Sequence, residues 1–124
     1  MAEVIEHKHM IVRAECNSPP TEVFLKQWIK DLVVKLNMKI LAGPISANID
    51  YMKGNNGPTC VCIIETSHIA CHVWIDVDPA LVQLDVYTCG KLDRDIVLRH
   101  LDQFDCIKAD VKVFDREYRL EDIT

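Results

Sequence analysis

Residues 69–76 read IACHVWID, a run in which apolar and polar side chains alternate. Because successive side chains of a strand point to opposite faces, this pattern predicts a strand with one apolar face and one polar, aromatic face. Thr59–Glu65 (TCVCIIE) precedes it after the link Thr66-Ser67-His68, and Val82–Cys89 (VQLDVYTC) follows it after a turn. The three segments predict neighbouring strands of one sheet.

Outside these strands the pattern predicts two amphipathic helices and three more strands. The first helix has an apolar stripe from Leu25 to Leu36 and a cap at Ser18 or Thr21. The second begins at Asp93 or Asp95 and has its stripe at 97, 98, 101 and 104. The remaining strands are His9–Cys16, Lys39–Ile49 (kinked at Gly43-Pro44) and Cys106–Phe114. The order β-α-β-β-β-β-α-β predicts an α+β two-layer sandwich, a mostly antiparallel sheet with two helices on one face.

Length and composition indicate one folded domain, residues 1–124. The chain has 49% hydrophobic and 27% charged residues and a formal net charge of −5. The negative charge argues against a nucleic-acid partner, which needs a basic surface. The sequence has no apolar run of membrane-spanning length, so we expect no membrane partner. Residues 1–9 are charged and lack the apolar core of a secretion signal, which predicts a cytoplasmic protein.

Six cysteines stand at positions 16, 60, 62, 71, 89 and 106. No two of them have the CxxC spacing of zinc ribbons or thioredoxin-like sites. His68 and His72, four apart on a strand, would lie about 13 Å apart and too far to share an ion. We therefore predict reduced thiols and no metal site.

The alternation also predicts what the sheet face opposite the helices carries. A purely solvated face needs no tryptophan and tyrosine beside a histidine and a thiol, whereas a binding cleft or a subunit interface does. A chance grouping of ordinary surface residues is the other interpretation of this face. The residues assigned to it are His72, Trp74, Asp76, Asp85, Tyr87 and Cys89.

Two motifs make the sequence specific. The first is ETSHIACHVW at residues 65–74, and the second is DVYTCG at residues 85–90. Together with the chain length and the order of elements, they resemble the prokaryotic-type S-adenosylmethionine decarboxylase proenzymes. The resemblance is most specific from Ser67 to Gly90.

The resemblance implies a pyruvoyl cofactor made from the chain itself. The Ser67 hydroxyl would attack the Thr66 carbonyl, and the resulting ester would undergo β-elimination and hydrolysis. The products would be a β chain of residues 1–66 and an α chain of residues 67–124 that begins with the pyruvoyl group. The substrate amine would then form a Schiff base with that group, which serves as an electron sink during decarboxylation. The implied assembly is a homodimer with shared active sites.

The resemblance also implies roles for individual residues. Ser67 is the pyruvoyl precursor, His72 moves protons during processing, and Cys89 returns a proton to the substrate carbon. Thr59 stands where the family has a serine that assists self-cleavage. Trp74 matches a family tryptophan, Asp76 stands in place of a glutamate that binds the ribose hydroxyls, and Tyr51 replaces the phenylalanine that contacts the adenine.

The sequence departs from the family pattern at Thr66, where the family has glutamate, and at Asp76. Three hypotheses therefore stay open. The first is decarboxylation of S-adenosylmethionine, which feeds spermidine biosynthesis. The second is a pyruvoyl-dependent decarboxylase for a basic amino acid such as ornithine or arginine. The third is an unprocessed, non-catalytic member that binds a metabolite or a partner.

Overall fold

A computed structural model describes residues 5–65 and 67–124. Within these residues two helices and seven strands alternate along the chain. They are β1 (Lys8–Cys16), α1 (Glu22–Lys35), β2 (Ile40–Ile49), β3 (Gly57–Ile64), β4 (Ser67–Trp74), β5 (Ala80–Thr88), α2 (Arg94–Leu101), a 3-10 turn (Asp102–Phe104), β6 (Cys106–Asp115) and β7 (Glu121–Asp122).

In the described chain the strands form one antiparallel sheet in the order β2-β3-β4-β5-β1-β6-β7. This confirms the predicted α+β class and the antiparallel sheet. The kink predicted at Gly43-Pro44 is visible as register shifts in the β2–β3 pairing, between Ile40 and Ala42 and between Ala42 and Ile45. The two-residue β7 was not predicted, because the charged segment around it has no alternation.

The link between β3 and β4 is shorter than predicted. The sequence placed residues 66–68 outside the strands, whereas β4 begins at Ser67 and Ser67 pairs with Ile64. The buried Ser67 side chain continues the alternation of Ile69 and Cys71, which explains why the ladder extends two residues further. Ser67 is therefore the first residue of a strand and not a loop residue.

The two helices begin where the capping residues predict. Thr21 caps α1 by accepting the Phe24 N–H, and Asp93 caps α2 by accepting the Asp95 and Ile96 N–H groups. These contacts satisfy amide groups that have no partner inside the helix. The apolar stripe of α1, including Trp28, is buried as predicted.

His100 ties the two helices together in the interior. Its ring Nε2 lies 2.7 Å from the Trp28 carbonyl oxygen, and the Trp28 indole donates to the His100 carbonyl oxygen at 2.9 Å. Lys35 and Gln103 donate to the ring Nδ1. Burial lowers the pKa of His100 below its ordinary value, because the charged ring would lose its hydration.

Buried residues of both helices and of β1, β3, β4, β5 and β6 form a single hydrophobic cluster. The prediction that both helices cover the same face of the sheet is consistent with this cluster and stays a prediction. One expected core residue differs: Ile75 is 51% exposed because β4 ends at Trp74. No helix in the described part of the chain has the length and apolar character needed to cross a membrane.

Candidate active site

Ser67 and Cys89 meet where β4 begins and β5 has just ended. The Cys89 backbone N–H donates to Ser67 Oγ at 2.8 Å, and Ser67 Oγ–H donates to the Glu65 carbonyl oxygen at 3.3 Å. The Cys89 thiol donates to the same Glu65 oxygen at 3.0 Å. Ser67 is 6% exposed. The site therefore holds a positioned hydroxyl and a thiol within one hydrogen-bond network, next to the predicted cleavage position.

A cavity of about 460 Å³ opens beside this pair. Its volume lies in the range of about 300–1,000 Å³ that is typical of small-molecule sites. The cavity lies between the end of α1 and the segment that leads into α2. Its lining includes Ser67, Cys89, Glu65, Lys35, Lys91 and Asp93.

Cys89 lies one residue beyond the end of β5, so the alternation that assigned it to the face of Tyr87 does not extend to it. Its thiol contacts the Glu65 carbonyl, and its backbone N–H contacts Ser67. The alternation alone did not predict this contact between Cys89 and Ser67.

Thr59 and His72 form a second group on the sheet. They lie opposite each other on β3 and β4, and Thr59 Oγ1 is 3.1 Å from His72 Nδ1. His72 is five residues along β4 from Ser67, a separation of about 17 Å along a strand. The odd spacing also points the two side chains to opposite faces: Ser67 is buried and His72 is exposed. Within one chain, Thr59 and His72 therefore do not reach Ser67.

Trp74 and Asp76 hold the loop between β2 and β3. The Trp74 indole Nε1 donates to Asn55 Oδ1 at 2.7 Å, and the Trp74 ring centroid lies 6.1 Å from that of His72. The Asp76 carboxylate accepts the Asn56 backbone N–H at 3.1 Å and the Asn56 side-chain amide at 3.2 Å. These hydrogen bonds, led by the Asn56 backbone N–H, lower the pKa of Asp76. Asp76 lies past the end of β4, so the alternation that assigned it to a strand face does not extend to it.

Two residues of the predicted site remain, Tyr51 and Thr66. Tyr51 stands in the same loop with its side chain 78% exposed. Thr66, the predicted residue before the cleavage position, lies outside the described residues.

Sequence reasoning assigned Asp85 and Tyr87 to the helix-free face but missed the histidines that form a polar cluster with them. We call the side of the sheet opposite the buried core residues the open face. There His68, Tyr87 and His9 lie side by side on β4, β5 and β1, and Asp85 contacts both histidines. Arg116 lies over the Tyr87 ring, 4.5 Å from its centroid. Part of this cluster could have been predicted, because His7, His9 and Ile11 have the spacing of residues on one face of a strand. His68 was missed because the sequence assigned it to the link between two strands.

The six cysteines are free thiols. Burial raises the pKa of Cys60 to about 11 and raises the pKa of Cys71 even further, which keeps both thiols protonated. These buried cysteines act as small apolar residues of the core. Among the residues that the structure describes, no group of three or more His, Cys, Asp or Glu side chains has the geometry to hold a metal ion.

Comparisons with known proteins agree with the motif at Ser67–Gly90. The family model described as S-adenosylmethionine decarboxylase matches residues 12–117. The crystal structure of the adenosylmethionine decarboxylase from Aquifex aeolicus VF5 matches with a TM-score of 0.71 at 17% sequence identity. That match covers 98% of this chain and 98% of the other. At this level of identity the structural match shows the shared fold, whereas the family model shows the family.

Proposed function

Because the chain belongs to the S-adenosylmethionine decarboxylase family, as its sequence motifs predicted, we propose that it is the proenzyme of a pyruvoyl-dependent decarboxylase. It cleaves itself between residues 66 and 67 and then decarboxylates S-adenosylmethionine. The product is the aminopropyl donor for spermidine biosynthesis. The observation that carries this proposal is the contact between Ser67 and Cys89 at the edge of the cavity.

The residues around Ser67 fit the formation of the pyruvoyl group. The Cys89 N–H holds Ser67 Oγ at a defined position, and the Ser67 hydroxyl donates a hydrogen bond to the Glu65 carbonyl oxygen. In the proposed cleavage, Ser67 Oγ attacks the carbonyl carbon of residue 66, and the peptide nitrogen becomes the amine of an ester-linked chain. β-Elimination then releases the β chain as a carboxylate, and hydrolysis of the resulting dehydroalanine releases ammonia.

Cys89 has a separate role in the decarboxylation. The pyruvoyl group supplies a carbonyl that accepts the electrons left when the carboxyl group departs. The Cys89 thiol borders the same cavity as residue 67 and carries a proton. We assign it the return of that proton to the substrate carbon.

The proposed assembly is the homodimer that the resemblance implies, with the two open faces in contact. Both helices would then cover the outer face of each sheet. The open face carries exposed apolar side chains on two strands, β1 and β3: Ile11 is 43% exposed, Val61 40% and Ile63 50%. A contact between two such faces buries this apolar surface. Thr59 and His72 of the partner subunit would then lie against the open side of the start of β4, opposite the buried Ser67 side chain.

Trp74, Asp76 and Tyr51 are the proposed substrate contacts. They lie on or beside the loop between β2 and β3, which the Trp74–Asn55 and Asp76–Asn56 hydrogen bonds hold in place. An exposed tyrosine ring suits stacking on the adenine, and a carboxylate suits hydrogen bonds from ribose hydroxyls.

The hydrogen bonds that Asp76 already makes to Asn56 favour one alternative function. Its two carboxylate oxygens already accept hydrogen bonds from Asn56, which leaves less capacity for ribose hydroxyls. A pyruvoyl-dependent decarboxylase for ornithine or arginine needs no ribose contact. Thr66 in place of glutamate favours the other alternative, an unprocessed and non-catalytic protein.

The intact mass of freshly purified protein under denaturing conditions tests the proposal. We expect two fragments, residues 1–66 and residues 67–124, the second with a pyruvoyl end. Ser67→Ala is the matched control and stays a single chain. Release of labelled CO2 from S-adenosylmethionine, with ornithine and arginine as competing substrates, then identifies the substrate. A single wild-type chain that persists after long incubation at neutral pH contradicts the proposal.

A further inference from the structure

The residue that follows Ser67 is held by a chain of polar contacts that crosses the open face. His68 pairs with Tyr87 on β5, and Tyr87 pairs with His9 on β1. The His68 and Tyr87 ring centroids are 5.7 Å apart, and those of His9 and Tyr87 are 5.6 Å apart. The row connects the start of β4 to the centre of the sheet.

The hydrogen bonds in this row define which atoms carry protons. Arg116 Nη1 lies 3.2 Å from His9 Nδ1, and a guanidinium group donates but does not accept. His9 Nδ1 is therefore the acceptor, so in the neutral ring Nε2 carries the proton and donates to Asp85 Oδ1 at 2.5 Å. The hydrogen bond from His9 therefore holds the Asp85 carboxylate, and the hydrogen bond from Arg116 holds the His9 ring.

The same Asp85 oxygen faces His68. The distance from His68 Nε2 to Asp85 Oδ1 is 3.7 Å, which makes an ion pair when the His68 ring is protonated. Asp85 thus lies between two histidines, one on the neighbouring strand β1 and one directly after Ser67. The side chains of His68 and Asp85 are 45% and 40% exposed, so the pair adds little to folding stability.

We propose that Asp85 is a positioning residue that acts through His68 to hold residue 67 in place for self-cleavage and for decarboxylation. The inference rests on the proposed pyruvoyl chemistry. Once the bond between residues 66 and 67 is broken, residue 67 becomes the end of a chain, and chain ends fray unless they are tied down. His68 is the first residue that retains a complete side chain beyond the reactive group. Its contact with Asp85 fixes the strand end at the point where the covalent link to β3 is lost.

The effect of a loose strand end on the reaction is large compared with its effect on folding. A misplacement of about 1 Å at a reacting group costs up to about 100-fold in rate. Loss of one partly exposed ion pair changes folding stability little. A variant that loses only the positioning contact is therefore expected to stay folded and react slowly.

The test compares Asp85→Asn with Asp31→Asn, which removes an exposed carboxylate on α1, in the layer that the proposed dimer leaves outside. We measure the rate constant of self-cleavage by intact mass, then kcat and KM for CO2 release, and the melting temperature. For Asp85→Asn we expect cleavage and kcat to fall about 10-fold, with KM within about 2-fold and little change in melting temperature. Asp31→Asn should match the wild type, and Asp85→Glu, which keeps the carboxylate, should recover part of the rate.

A second variant keeps the proposal testable if Asp85→Asn folds poorly. His68→Gln removes the imidazole on the other side of the pair. The double variant should be no slower than the slower single variant, since both changes act at one contact. Wild-type cleavage and kcat in Asp85→Asn, or rate losses that multiply in the double variant, would overturn the inference alone. A wild-type chain that neither cleaves nor releases CO2 would instead remove the proposed function, and this inference with it.

Discussion

A mixture of two inactive variants provides the sharpest test of how the site is assembled. Ser67→Ala removes the attacking hydroxyl but keeps His72, and His72→Ala keeps the hydroxyl but removes the histidine. Within one chain these residues lie about 17 Å apart along β4 and on opposite faces. If the site is shared between two subunits, a mixed dimer contains one site with both groups and one site with neither.

The expected recovery follows from counting sites. With equal expression and random pairing, about half of the dimers are mixed, so about one quarter of all sites are complete. Co-expression of the two variants should therefore give cleavage of about half of the His72→Ala chains and about one quarter of wild-type decarboxylation. The assay is intact mass with distinguishable tags on the two chains, followed by CO2 release. Each variant expressed alone is the control and should stay uncut.

Failure to recover cleavage would refute the shared site. If Ser67 and His72 of the same chain acted together, every mixed dimer would contain two defective sites, and the mixture would be as inactive as each variant alone. Cleavage of His72→Ala expressed alone would also contradict the reasoning, because it would show that processing needs no histidine at position 72.

Three other variants test separate parts of the structure. Cys89→Ala keeps the backbone N–H that contacts Ser67, so this variant should still cleave itself. Its kcat for CO2 release should fall about 100-fold because the thiol that returns the proton is lost. A normal kcat would show that the thiol is not the proton donor. A Cβ added at Gly57 (φ +143°) would clash with the Val73 carbonyl oxygen, so Gly57→Ala should lower the free energy of unfolding in urea by about 3 kcal/mol. Gly54→Ala (φ +83°), where a Cβ meets no other atom, should lower it by only about 1 kcal/mol. Equal losses of stability would contradict the clash. In the unfolded state His100 takes up a proton near its ordinary pKa of 6.5, whereas burial lowers its pKa in the folded state. The free energy of unfolding should therefore fall by up to about 1.4 kcal/mol for each pH unit below 6.5, and His100→Gln should reduce this pH dependence. The same pH dependence in His100→Gln, measured by urea unfolding between pH 5 and 7, would show that His100 is not responsible.

Much of the fold was predictable because its signals are local. The alternation in β4 and β5 and the helical stripe from Leu25 to Leu36 each require a single face to be buried, and that requirement is written in the spacing of the residues. Thr21 and Asp93 are capping residues at the predicted helix starts. The error in the predicted core lies at a strand end, where alternation stops without a sequence signal, as it does at Ile75.

The site was less predictable because its contacts join distant parts of the chain. The motif identified Ser67, His72 and Cys89, but only the three-dimensional arrangement separates His72 from the other two. The contact of His9 with Asp85 spans 76 residues, and that of Arg116 with His9 spans 107. Periodicity assigns a side chain to a face, but it does not specify which strand becomes its neighbour.

The spacing of Ser67 and His72 has a consequence for the control of the reaction. An odd interval on a strand places two side chains on opposite faces whatever the rest of the fold does, so no local adjustment of β4 brings the hydroxyl and the imidazole together. In the proposed dimer, the proton-transfer group of the cleavage comes from a second subunit. A newly made chain would hold a positioned hydroxyl and an intact peptide bond until it dimerises. Self-cleavage would thus be coupled to assembly, and the reactive carbonyl would form only in a site that a partner subunit already covers.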